Sequence, residues 1–260
     1  VYHSKPSYQT ILEAVTKQFN SGEGAIQFAP EAIARSNADI LNKDELRKEF
    51  IEIYSEQGKE EAKNWINHNF GPFSNDELNH RMTRYGLNPC GEILGNDFHF
   101  NLAEVHLNQI DPNNLEEQKK AFKSAALSVA CLLNHKFEVE RYRVSREFDP
   151  IVGVSFTGLF DFFVHAFGTS WLRWWEQGRP DTEEGKLFKE RESKYLESWK
   201  IIVKETVWDY CDKHNLRRPN RCTTVQPAGT KSLLTGAAPG WHPPKAQRFI
   251  RRITFRKNDP

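Results

Sequence analysis

Residues 152–165 form an apolar run that contains Gly153 and Gly158, and a segment this hydrophobic does not lie on an open surface. Any fold available to the chain must bury it. Aromatic residues then concentrate over 156–175. Within that stretch Trp171, Trp174 and Trp175 fall at i, i+3 and i+4, a helix-face pattern that reads as packing and not as a stacking platform for nucleic-acid bases. Strand-like segments at 101–107, 221–225 and 249–255 interleave with long helical stretches at 116–133 and 182–213. In the first of these, Leu102, Glu104 and His106 alternate with Ala103, Val105 and Leu107. Strands interleaved with helices make α/β the expected class.

The first 70 residues read differently. Ile11, Leu12, Val15 and Phe19 give 5–20 a helical period, 29–34 fits a short helix, and 44–67 fits one or two more. The character changes at Gly71-Pro72. The expected organisation is a mostly helical part over 1–70 and the main body over 71–260. At 260 residues the chain can bury one sizeable core or two modest ones. No apolar run approaches the roughly 20 residues that cross a bilayer, and Val1-Tyr2-His3-Ser4-Lys5 lacks the order of a secretion signal. The four cysteines, Cys90, Cys131, Cys211 and Cys222, are widely spaced with no CxxC, which argues against a disulfide scaffold or a zinc knuckle. A cytoplasmic protein without membrane contact is expected. Net charge is +1, so nothing global points to nucleic acid, yet the stretch 217–257 holds ten Lys/Arg and no Asp or Glu. That end can meet phosphate or be a solvated basic surface.

Two motifs carry chemistry. Asn88-Pro89-Cys90-Gly91-Glu92 sets a thiol two residues from a carboxylate in a loop constrained by Pro89 and Gly91. Such a turn can bring both groups to one substrate. A Cys–His nucleophile assembled in space, with His80 or His99 nine or ten residues away, also fits, as does a buried structural cysteine beside a turn. Downstream, Gln226-Pro227-Ala228-Gly229-Thr230-Lys231-Ser232 offers amides, hydroxyls and one ammonium in a pattern suited to an anion. It is not a Walker loop, and an ordinary turn packed on a strand is the competing reading. His99, His106 and Asp97 lack compact ligand spacing, so no metal is expected. Arg248, Arg251 and Arg252 fit either a phosphate site or an exposed face.

At these residues the chain resembles the monomeric adenosylcobalamin-dependent ribonucleoside-triphosphate reductases. The resemblance rests on Asn88-Pro89-Cys90-Gly91-Glu92-Ile93, on the 101–109 run Asn-Leu-Ala-Glu-Val-His-Leu-Asn-Gln, and on the 153–159 run Gly-Val-Ser-Phe-Thr-Gly-Leu. It continues through 226–236 into Pro239-Gly240-Trp241-His242-Pro243-Pro244-Lys245. The resemblance implies a central-to-late part of a ten-stranded α/β barrel, with a finger loop carrying the reactive cysteine. Cys90 would match the thiyl-radical cysteine that takes the substrate 3′-hydrogen. Glu92 would match the carboxylate that deprotonates the 3′-hydroxyl, and Asn88 the amide that holds the substrate hydroxyls. Ala228, Gly229, Thr230, Lys231 and Ser232 would bind substrate phosphates. Adenosylcobalamin would be the cofactor and a ribonucleoside triphosphate the substrate. A thioredoxin-type reductant, and a complementary reductase fragment, would be the partners.

One departure matters. The family pattern has a redox cysteine just before the Asn-Leu-Ala-Glu segment, whereas here Phe100 runs directly into Asn101, one residue short. Much of the barrel and of the cobalamin platform is also missing from the sequence. The expectation is therefore a reductase segment that works as part of a longer or split enzyme. The alternatives are a catalytically defective nucleotide-binding or assembly fragment and, further off, a thiolate hydrolase.

Overall fold

The computed structural model describes residues 1–22, 26–244, 250 and 256–257. The strand expected over 249–255 falls almost wholly outside them, as do Lys245, Arg248, Arg251 and Arg252. The described residues divide into two compact units: 1–103, 122–154 and 200–224 in the first, and 104–121, 155–199 and 225–260 in the second.

The first unit opens with α1 (Tyr8–Ser21), whose N-cap Ser7 accepts from the Thr10 amide. Then come α2 (Ala29–Ser36), α3 (Asp44–Gln57), α4 (Lys59–Phe70) and α5 (Asn75–Thr83). Pro30 opens α2, and acidic Asp44 and Glu45 sit in the first turn of α3. Ser74 caps α5 by accepting from the Glu77 amide at 3.1 Å. Apolar positions at helical spacing put Ile33, Leu41, Phe50, Tyr54, Ala62, Ile66, Leu78 and Met82 into one core. Burying a side chain such as Phe50 stabilises by about 1.5–3 kcal/mol. A buried cation organises its edge: Arg81 donates to both Asp39 carboxylate oxygens (3.0 and 2.8 Å) and to Asn37 Oδ1 (3.1 Å).

The strands are few and short. β1 (Tyr85–Leu87) and β2 (Leu94–Asn96) form an antiparallel pair. β3 (Phe100–His106), β4 (Ile151–Thr157) and β5 (Arg221–Thr223) form a three-stranded sheet in the order β3-β4-β5, with β4 and β5 parallel. The boundary between units passes through β3 and β4, and through α6 (Leu115–Ala130) and α10 (Glu183–Lys213). The remaining helices are α7 (Glu140–Phe148), α8 (Leu159–Phe167) and α9 (Thr169–Glu176).

The expected ten-stranded α/β barrel is not what forms. Among the described residues the chain is predominantly helical, and its two sheets, of two and three strands, do not close. Closure needs strands hydrogen-bonded all the way round, and here most of the apolar periodicity is helical. The apolar run at 152–165 divides in two: β4 is buried along its whole length, and α8 follows after Gly158. Gly158 has φ 73°, and a Cβ there would lie 2.9 Å from the Asn108 backbone nitrogen, so only glycine makes this turn without strain.

The second unit is cored by aromatic rings. Phe162 meets Tyr195 and Trp199 edge-on, with centroids 5.1 Å apart in both pairs, and Phe160 meets Trp171 in the same way. Trp171 and Trp174 are buried, which agrees with the packing reading of the tryptophan pattern. The Trp171 indole donates to Glu192 at 2.7 Å, and Arg179 pairs with the same carboxylate at 2.6 Å. That buried carboxylate is thus neutralised inside the unit. Among the described residues no helix is long and apolar enough to cross a membrane.

Candidate functional site

The thiol motif is the connection of the β1–β2 hairpin. Tyr85 stands opposite Asn96 and Leu87 opposite Leu94, which leaves residues 88–93 as the loop. Asn88 closes it. Its amide donates to the Ile93 carbonyl (3.1 Å), its side-chain oxygen accepts from the Ile93 amide (3.0 Å), and its carbonyl accepts from the Gly91 amide (2.9 Å). The Asn88 side-chain amide then donates to Glu92 Oε2 at 2.7 Å. The Glu92 carbonyl accepts from Thr224 Oγ1 at 3.1 Å, which moors the loop to the segment after β5. Cys90 is exposed within this loop, so the reading of a buried structural cysteine fails. Asn88 and Glu92 are brought together, and Cys90 stands between them in the chain.

Neither histidine near the motif in sequence makes a thiolate pair. The His80 ring packs edge-on against Phe148, and burial lowers its pKa. The His99 ring packs against Phe137, and burial followed by the nearby Arg146 lowers its pKa as well. Among the described residues neither is hydrogen-bonded to Cys90.

Glu92 lines a cavity of about 380 Å³ together with Gly91, Arg35, Arg47, Arg221 and Thr224. Sequence reasoning missed the three arginines, and no motif marks them. Each already faces a carboxylate: Arg35 pairs with Glu31 at 2.5 Å, Arg47 with Asp44, and Arg221 with Asp149. Burial pushes the Arg221 guanidinium down to about 10, which leaves it cationic at neutral pH. Arg221 also donates to the Leu94 carbonyl in β2, so its main work is to brace the hairpin.

The downstream loop belongs to the second unit, and the thiol loop belongs to the first. Gly229, Thr230 and Lys231 are exposed, whereas Ala228 and Ser232 are buried. Ala228 adopts φ 52°, a left-handed conformation that turns the chain. Its carbonyl accepts from the Ser232 amide at 3.1 Å, so one expected anion donor is already used. Lys231–Leu234 form a single 3₁₀ turn. The Gln226 amide donates to Ser155 Oγ (2.9 Å), and a Cβ on Gly240 would lie 2.3 Å from the Gln226 carbonyl oxygen. This close approach fixes the base of the loop. The Lys231 ammonium donates to Gln226 Oε1 (2.8 Å) and stands 3.4 Å from Glu104 Oε2. Glu104 is almost fully buried, and neither of its carboxylate oxygens has a hydrogen-bond partner. An anion drawn to Lys231 would therefore compete with a carboxylate already present.

No family model matches the chain. It is 30% identical over 186 residues to an adenosylcobalamin-dependent ribonucleoside-triphosphate reductase of Levilactobacillus brevis, a match covering 67% of this chain and 24% of that protein. Proteins of the same description from Lactobacillus gasseri and Lactobacillus leichmannii are each 30% identical over 185 residues, with the same coverage. A solved B-12 dependent (class II) ribonucleotide reductase aligns with 60% of this chain and 22% of its own, at 24% identity and a TM-score of 0.48. The chain spans about a quarter of the length of the curated relatives it matches.

Proposed function

From the premise that this chain is a distant relative of the adenosylcobalamin-dependent ribonucleoside-triphosphate reductases, we propose that it supplies the thiol loop and a phosphate-contacting loop for reducing ribonucleoside triphosphates to 2′-deoxyribonucleoside triphosphates, as part of a longer or split enzyme. The observation that carries this reading is the loop 88–93, where one closure by Asn88 holds the Glu92 carboxylate at 2.7 Å and leaves Cys90 exposed.

The chemistry divides among these residues. The Cys90 sulfur, as a thiyl radical, takes the 3′-hydrogen atom and becomes a thiol. Glu92 accepts the 3′-hydroxyl proton while the 2′-hydroxyl leaves as water, and the Asn88 amide holds the hydroxyls. Gly229, Thr230 and Lys231 offer the exposed donors for phosphate, and Ala228 and Ser232 shape the turn beneath them. The initiating radical would come from adenosylcobalamin when it is bound. The cavity beside Glu92, about 380 Å³, suits a nucleoside-sized group and not a corrin, so no residue of this chain is assigned to that cofactor. A thioredoxin-type reductant would provide the two electrons through a thiol pair carried by a complementary reductase polypeptide, which would also bring the rest of the fold.

A second reading, a nucleotide-binding or assembly fragment without turnover, is favoured by the direct passage from Phe100 to Asn101 in β3, where the family's redox cysteine has no counterpart. One experiment separates the two. The chain is combined with a polypeptide supplying the remainder of a reductase, and tritium release from 5′-tritiated adenosylcobalamin is followed alongside deoxynucleotide formation. The radical reading requires exchange that is lost in Cys90→Ser and kept in Glu92→Gln, with product formation lost in both. Nucleotide binding with no exchange supports the fragment reading. Exchange equal in the parent and Cys90→Ser sinks the assignment of Cys90.

A further inference from the structure

A second cavity, of about 670 Å³, lies within the first unit and has no part in the proposed reaction. It is larger than the space beside Glu92 and within the size range of small-molecule sites. Its lining comes from 133–150 and 215–217, and it holds four cationic side chains, Lys136, Arg143, Arg146 and Arg217, against one carboxylate, Glu147.

Two of the cations are already matched. Arg143 pairs with Glu147 (2.8 Å) and Glu140 (3.2 Å), and Arg217 stands 3.6 Å from Asp39. The other two are not. Among the described residues Lys136 has no carboxylate partner and is exposed. Arg146 is partly buried and also lacks a carboxylate. Its guanidinium lies 4.5 Å over the Phe137 ring, donates to the Leu132 carbonyl at 2.9 Å, and reaches His99 Nδ1 at 3.5 Å. Its Nε is buried with no hydrogen-bond partner. A partly buried cation with no counter-ion is costly, and an anion in the cavity beside its guanidinium would relieve that cost. Leu133, Phe137, Pro150 and Leu216 give the same cavity an apolar wall.

We propose that this cavity binds a small phosphate-bearing molecule with a planar apolar body, its phosphate on Arg146 and Lys136 and its body against Phe137 and Leu216. A phosphate monoester carries about −1.5 to −2 charges at pH 7, which balances the two unmatched cations where a single carboxylate would balance one. A guanidinium and an ammonium together also suit phosphate, the first as a planar fork and the second as a point charge.

The test uses the full 260-residue chain and titrates phenyl phosphate, inorganic phosphate and benzyl alcohol by calorimetry. Phenyl phosphate is expected to saturate one site, inorganic phosphate to bind more weakly, and benzyl alcohol not to bind. Arg146→Gln and Lys136→Gln should each weaken phenyl phosphate binding about tenfold or more. Lys136 is exposed, so its variant keeps the test valid if Arg146→Gln does not fold. Equal affinity in the parent and Lys136→Gln, or no saturable binding in the parent, overturns the proposal. Inorganic phosphate binding as tightly as phenyl phosphate overturns the apolar subsite.

Discussion

The side-chain amide of Asn88 bridges its own loop, donating to the Glu92 carboxylate at 2.7 Å while its oxygen accepts from the Ile93 amide at 3.0 Å. One side chain therefore sets both the shape of the thiol loop and the position of the Glu92 carboxylate. Asn88→Ala removes both contacts and is expected to lower stability by about 1–2 kcal/mol, read from urea unfolding. Asn88→Asp keeps the acceptor for Ile93 but sets two carboxylates against each other. It should therefore be less stable than the parent at pH 7, and less stable at low than at high ionic strength, because salt screens the two like charges.

The pairing of Arg81 with Asp39 is a second dependency. Both side chains are almost fully buried, and the guanidinium also donates to Glu77 at 2.9 Å. Arg81→Leu strands the Asp39 charge in the interior and is expected to cost about 3–5 kcal/mol. The double variant Arg81→Leu/Asp39→Leu should recover part of that loss, because the almost fully buried Asp39 charge is removed with its partner. Chemical denaturation of the three proteins gives the coupling directly. A double variant less stable than the sum of the single changes would contradict it.

Gly158 carries two constraints at once, a left-handed φ of 73° and backbone 2.9 Å from where a Cβ would stand. The conformation alone costs about 1 kcal/mol for alanine, and the contact with Asn108 adds to it. Gly158→Ala is expected to lose about 2–3 kcal/mol, seen as a lower melting temperature. A loss below 1 kcal/mol would mean that β4 and α8 can shift apart freely.

The longer elements are legible in the sequence, as are the short α2 and β5, expected at 29–34 and 221–225, whereas other short elements are not. Helical period locates α6 and α10 to within a few residues and the 44–67 stretch that divides at Gly58 into α3 and α4, and the strand expected over 101–107 places β3 one residue late. The hairpin of β1 and β2 escapes because each strand is three residues long and centred on glycine, Gly86 or Gly95, too short for any period. At α5, Ser74 and Glu77 have the spacing of a capping box, a start signal without the long apolar period that marks α10. The barrel was an inference from resemblance alone, and no count of strands supported it. In the candidate site, motif spacing singles out Cys90 and Glu92 and the resemblance adds Asn88, but neither shows that the Ser232 amide turns inward to Ala228, because spacing does not fix the direction of a donor. Nothing in the sequence marks Arg146, because its place over Phe137 without a carboxylate partner is set by tertiary packing.

The four thiols should divide into two classes. Cys90 and Cys131 are exposed, whereas Cys211 and Cys222 are buried. Burial is the leading cause that pushes the Cys211 thiol up to about 11 and the Cys222 thiol up to about 12. Only the thiolate reacts with an alkylating reagent. Iodoacetamide at pH 8 is thus expected to modify Cys90 and Cys131 readily and to reach the other two only with denaturant, as peptide mass mapping would record. The same shifts link to stability. A thiol whose pKa rises on folding stabilises the folded state fully below the unfolded value near 9, and that contribution is lost as pH climbs toward 11 and 12. Stability should accordingly fall above pH 9, and Cys222→Ala should flatten the fall by removing the larger of the two shifts. Rapid labelling of Cys222 in the native protein at pH 8 would show that its pocket opens, and the expected alkaline loss would then shrink with it.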